Sequence, residues 1–204
     1  ILAVSSSPVI EQNTITGSNS SQLAIRGENT SFKIKNQNSI LGSIEITSNS
    51  VSPVLDGNSL IDGSITVSGS STGVEIKNHF VADESHHYGV KKEKVILDHI
   101  KFSNESSGTI DKCFLESVSI NENCQVTVKD SFLLNTSDAS AIFLNKGSCI
   151  IFRNYIEVKL ATWHATPISI NSNLVKSYIA NNIIYSHSTD SGYHAYGLHT
   201  SQLD

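Results

Sequence analysis

The six residues Ile179-Ala180-Asn181-Asn182-Ile183-Ile184 set one apolar residue, two further positions, an asparagine and then an apolar pair in a row. The same phrase returns at Ile10–Ile15, Leu55–Leu60, Leu97–Phe102, Ile110–Leu115, Val128–Leu133 and Ile151–Ile156, with looser copies ending at Ile40 and Phe80. Taking the asparagine slot as a marker gives Asn13, Asn38, Asn58, Asn78, Ile100, Cys113, Ser131, Asn154 and Asn182, spaced 13 to 28 residues apart. Between the markers the chain alternates apolar and polar residues, as in Ser64–Ser68 and Gln125–Lys129, whereas sustained helical spacing is absent. Short strands recurring about every 20 residues without helices between them predict an all-β protein, a parallel β-solenoid of about nine irregular coils. Asparagine at the marker suits a tight bend in the left-handed region, and stacked asparagines can hydrogen-bond along the axis. A β-sandwich is the structural competitor, but it should carry more hairpin dipeptides; Asn-Gly is absent and Asp-Gly occurs only at Asp56-Gly57 and Asp62-Gly63.

Composition agrees with this reading. Of 204 residues, 38% are hydrophobic and 16% charged, while 34 serines and 18 asparagines supply the polarity. That is poor material for surface helices. The net charge of −5 argues against an electrostatic nucleic-acid or anionic-membrane binder, and no apolar run is long enough for membrane insertion. Cys113, Cys124 and Cys149 have neither disulfide-scaffold nor zinc spacing and read as small hydrophobes, with their disulfide status open. Methionine is absent and the chain opens on Ile1 without a basic region, which leads us to expect a segment of a larger protein. The polar, charge-poor surface suits a secreted or cell-surface location.

The marker phrase, spread over about residues 8–186, resembles the bend signature of right-handed parallel β-helix proteins of the pectate-lyase-like superfamily. The resemblance implies the right-handed winding, and it leaves activity open, because that superfamily includes lyases, polygalacturonases, tailspikes and adhesins. The Gly-His-Gly phrase of polygalacturonases is missing, and the nearest match to their Asn-Thr-Asp phrase is Asn135-Thr136-Ser137-Asp138.

In a solenoid, one repeat position becomes a column of neighbours. The two slots before the marker place Glu11, Asp56, Asp98, Asp111 and Lys129 in one column, and Gln12, Lys77, His99, Lys112, Asp130 and Arg153 in the next. Asp98 and Asp111 could bind calcium or act as an acid–base pair, with Lys112, Lys129 and Arg153 beside them for an acidic sugar. The competing reading is a surface ladder of alternating charge, in which the repulsion of like charges is cancelled.

Two stretches depart from the repeat, residues 82–94 and 161–167. They carry His86, His87 and Tyr88, and then Trp163 and His164, which are candidate ligand-binding residues on loops held by a rigid scaffold. Residues 185–204 read as a tail or cap. A metal held by His187, His194 and His199 matches no known spacing. The expectation is a single domain over 1–204: a non-catalytic module of a secreted, cell-surface or viral spike protein that presents loops to a glycan or host-surface receptor. It needs no cofactor, and its oligomeric state is open, a trimer included. The alternative is a polysaccharide lyase or glycoside hydrolase, with calcium as the implied ion.

Overall fold

A computed structural model describes residues 1–16, 22–35, 38–57, 59–78, 97–136, 140–160, 165–171, 176–188 and 197–200. These residues are all-β, without a helix, and the strands pair in parallel throughout. Over the first third of the chain the strands visit three sheets in strict rotation. Leu2–Val4, Leu23–Glu28, Ser43–Thr47 and Ser64–Val67 join the first sheet. Val9–Glu11, Lys33–Lys35, Val54–Asp56 and Val74–Lys77 join the second, and Thr14–Thr16, Ser39–Leu41 and Ser59–Asp62 form the third.

The second sheet continues through Ser107–Asp111, Gln125–Lys129, Ser148–Phe152 and Lys176–Ala180. The first sheet continues through Leu97–Phe102 and the long strand Phe114–Asn121, where it forks. Phe114 and Leu115 pair with Phe132–Asn135, followed by Tyr155–Leu160 and Ile183–Ser188. Val118–Asn121 pair instead with Ile142–Asn145, followed by Ile168–Ile170 and Leu198–Thr200. This all-parallel order, with each strand beside its counterpart one repeat later, is compatible with a β-solenoid.

Strict alternation makes the core. Ser43–Thr47 and Gln125–Lys129 bury every second residue, because successive side chains of a strand point to opposite faces. In the first sheet Ile25, Ile44, Ile65, Ile100, Val118, Ile142 and Ile168 lie in one register row, each at most 1% exposed. Each such side chain contributes about 1.5–3 kcal/mol when fully buried. Phe32, also fully buried, packs so tightly over Gly27 that a Cβ there would overlap its ring.

The bends need more than apolar residues, since a turning chain leaves its backbone groups unpaired unless side chains reach them. At the bend leaving the second sheet, the marker residues face inward and bridge successive repeats. Asn13 N–H donates to Asn38 Oδ1 (2.9 Å), Cys113 N–H to Ser131 Oγ (3.2 Å), Ser131 N–H to Asn154 Oδ1 (2.9 Å) and Asn154 N–H to Asn182 Oδ1 (2.9 Å). The Asn154 amide also donates to Val128 O, and the Asn182 amide to Ile151 O. The expected axial ladder is therefore present, but the left-handed residue is the one before the marker.

Gln12, Gly57, Lys112, Asp130, Arg153 and Asn181 have φ between +51° and +65°. For non-glycine residues this costs roughly 1–2 kcal/mol each. The conformation aims their N–H groups at the next repeat: Gly57 donates to Lys77 O, Lys112 to Lys129 O, Asp130 to Phe152 O and Arg153 to Ala180 O.

The register corrects three assignments made from spacing. Ile100 is not a marker, because it lies within a first-sheet strand beside Ile65 and Val118, which is why the second sheet holds eight strands among the described residues rather than nine. Asn78 (φ 57°) occupies the left-handed slot, and Lys77 belongs to the first charged column, beside Asp56 and Asp111. Replacing Asn154, 3% exposed, with Ala removes an acceptor for one backbone N–H and a donor to another repeat's carbonyl. The expected loss is about 1–3 kcal/mol in equilibrium urea unfolding, with Asn154→Ser retaining part of it.

Candidate functional site

The outer face of the second sheet carries two rows of side chains in register. One runs Glu11, Lys35, Asp56, Lys77, Asp111, Lys129, then Phe152 and Ala180. Six charges thus alternate in sign from strand to strand. Lys35 Nζ lies 2.9 Å from Glu11, Lys77 Nζ 4.0 Å from Asp56 and Lys129 Nζ 3.1 Å from Asp111. Lys77 also takes Glu75 at 2.9 Å, and that hydrogen bond is the main reason its ammonium is held above its ordinary pKa. These pairs are partly solvated, so each contributes only about 0.2–1 kcal/mol.

Beyond this column, at the left-handed bend, Arg153 clamps Asp130 through two hydrogen bonds of 2.7 Å and lies 4.5 Å over the Phe152 ring. The hydrogen bond from Arg153 holds the Asp130 carboxyl below the usual carboxylate range. Four of the five residues considered for acid–base chemistry, Asp111, Lys112, Lys129 and Arg153, therefore lie on adjoining strand ends and bends. Asp111 and Lys129 are ion-paired to each other, and Arg153 to Asp130. One atom stands out: Asp111 Oδ1 is buried without a hydrogen-bond partner among the described residues.

Asp98 does not join them. It lies in the first-sheet strand Leu97–Phe102, whose register runs Leu97 to Leu115 and His99 to Ser117, so the supposed Asp98–Asp111 stack does not exist. His99 Nδ1 is 2.7 Å from Ser117 Oγ, in a different sheet from Lys112 and Arg153.

The second row of the face runs Val54, Glu75, Thr109, Thr127, Ile150, Tyr178. A third row adds Ser107, Gln125, Ser148 and Lys176. From Thr109 and Ser107 onward these two rows, together with Gly73 and Gly108, line a groove of about 520 Å³. Gly108 has no room for a side chain, since a Cβ would lie 2.7 Å from Val74 O. The groove lining is hydroxyl and amide chemistry, with one lysine and two exposed apolar side chains, Ile150 at 45% and Tyr178 at 64%. Spacing alone missed this groove. Its signal is the recurrence of Ser, Thr and Gln at outward positions of Ser107–Asp111, Gln125–Lys129 and Ser148–Phe152, which only the register turns into a surface.

The candidate binding residues His86, His87, Tyr88, Trp163 and His164 lie outside the described residues. At the end of the second loop, Ala165, Thr166 and Pro167 are buried, and Pro167 O accepts from Ile142 N–H, so this end leads into a sheet strand. In the tail, Tyr185–Ser188 and Leu198–Thr200 are paired in the first sheet. The cysteines are buried thiols: Cys113 occupies the marker ladder, Cys124 lies 3.5 Å from Ser106 Oγ, and burial pushes Cys149 well above its ordinary value. Comparison with family models, with curated proteins and with solved structures finds no match for this chain.

The Arg153–Asp130 clamp gives a pH test. The Asp130 pKa is lowered in the fold, so the pair stabilises the protein above the ordinary carboxylate range, and that contribution is lost as pH falls through the depressed value. Arg153→Gln should raise the Asp130 titration midpoint seen by carboxyl NMR. Any stability gap to the parent chain should close in acid.

Proposed function

We propose that the chain is a right-handed parallel β-helix acting as a non-catalytic binding module of a secreted, cell-surface or spike protein, with a glycan or host-surface receptor as its ligand. The observation that carries this reading is the groove beside the charged column. Hydroxyls and an amide in register offer hydrogen bonds along the axis, and the exposed Tyr178 ring offers an apolar face with a polar tip, the combination a sugar ring or a receptor loop uses. The neighbouring charges are engaged with one another, which suits a ladder better than a reaction centre. The stretches 82–94 and 161–167 remain part of this proposal as further contact loops.

The test is retention of the purified chain on a panel of neutral and acidic polysaccharides, with mass spectrometry of the supernatant. Retention without new oligosaccharides is expected, and Tyr178→Ala should weaken it about tenfold while leaving the β-sheet circular dichroism unchanged. Retention that ignores Tyr178 would remove the groove from the reading.

A second reading, a polysaccharide lyase or glycoside hydrolase using calcium or a carboxylic acid, is favoured by one atom, Asp111 Oδ1, buried and without a partner among the described residues. It requires products in the same assay and their disappearance in Asp111→Asn. If products form and survive that substitution, Asp111 is not the acid.

A further inference from the structure

The groove on the second sheet is built of polar heads that the protein itself leaves unused. The side chains of Thr109, Gln125, Thr127 and Ser148 have no hydrogen-bond partner among the described residues, and the Ser107 hydroxyl accepts the Gly73 N–H at 3.2 Å while keeping its own proton to give. The charged column beside them is different, since its acids and lysines engage one another. In register, Ser107, Gln125 and Ser148 form one line across the sheet, and Thr109 and Thr127 form a second beside it. Unused donors and acceptors therefore recur once per strand, about 4.8 Å apart.

That spacing selects among ligands. An extended peptide returns its side chains to the same face every second residue, roughly 6.6 Å along, so it falls out of step by about 2 Å at each strand. It has no edge to join either, because Ser107–Asp111, Gln125–Lys129 and Ser148–Phe152 are each hydrogen-bonded to a strand on both sides. An extended chain of six-membered sugar rings advances by about one strand spacing per ring, and every ring carries hydroxyls that both donate and accept. Charge narrows the choice further. Lys176 is the one charged residue lining the groove, so a glycan with a carboxylate on every ring would find a cation at one strand in four. Ile150 and Tyr178 continue the threonine line and offer apolar surface to the carbon face of a ring.

We propose that this groove takes a neutral, unbranched glycan laid across the strands, one sugar ring over each, with Ser107, Thr109, Gln125, Thr127 and Ser148 as its hydrogen-bonding contacts. The inference rests on the binding-module reading above and gives its ligand a chemistry, a direction and a repeat.

Titration calorimetry of the whole chain tests it, using β-1,4-linked oligomers of glucose, mannose and N-acetylglucosamine from one to four rings long, with galacturonate oligomers of the same lengths as the charged comparison. At least one neutral series should gain about two- to tenfold in affinity with each added ring, the worth of one net hydrogen bond per strand. Thr127→Val keeps the side-chain shape and removes a hydroxyl, and Gln125→Ala removes an amide. Each should weaken the four-ring compound by a similar factor with circular dichroism unchanged, whereas Lys101→Ala, at an exposed position of the first sheet, should change nothing. A four-ring compound no tighter than its two-ring counterpart, galacturonates that bind more tightly, groove variants without effect, or no binding by any neutral series would each overturn the inference. Retention on a polysaccharide together with any of those results would leave the module reading standing, while a chain retained by no polysaccharide would remove the glycan from both.

Discussion

Everything in this chain depends on inward-facing polar side chains that carry backbone hydrogen bonds around its bends. Buried bends cannot leave their amides unpaired, because each buried, unpaired donor costs about 1–3 kcal/mol. The row from Asn13 and Asn38 to Ser131, Asn154 and Asn182 meets that demand at one bend. A second row meets it where the chain enters the second sheet. Ser50 and Ser71, each fully buried, donate to the carbonyls of Thr47 and Ser68, and Ser106 donates to Val67 O and lies against Cys124. With both corners satisfied, the strands between them need only alternate.

How much of this is legible in the sequence depends on how distinctive each residue is. The asparagine row is readable because asparagine is both a bend former and a two-ended hydrogen-bonding group. The serine row is not, because Ser50, Ser71 and Ser106 are three among 34 serines. Ile100 was misleading for a physical reason: Leu97-Asp98-His99-Ile100 satisfies the phrase and also satisfies plain strand alternation, and what separates the two is the φ of the residue before the marker. That slot is filled by Gln12, Lys112, Asp130 and Arg153, of which only aspartate favours the left-handed region, and Lys112, Asp130 and Arg153 are held there by the N–H bond each gives to the next repeat.

The same limit governs the candidate site. Asp111, Lys129 and Arg153 could be assembled from spacing because they sit within one or two residues of a marker. Asp98 could not be excluded without the register, and Lys77 fell into the wrong column once Asn78 was taken for a marker. The groove is further from the markers still. Its residues, from Ser107 to Tyr178, are individually ordinary and become a surface only because four strands bring them side by side.

The alternating column also bears on how the strands of such a chain find their proper neighbours. Repeats that resemble one another invite a strand to skip its neighbour and settle on the next. Along Glu11, Lys35, Asp56, Lys77, Asp111 and Lys129, skipping one strand would set acid on acid or lysine on lysine. Like charges about 5 Å apart near a protein surface repel by about 3 kcal/mol, and more weakly where water reaches them. Pairs that add little to the finished fold thus act during folding as a proofreading code, which distinguishes each repeat from the one after it.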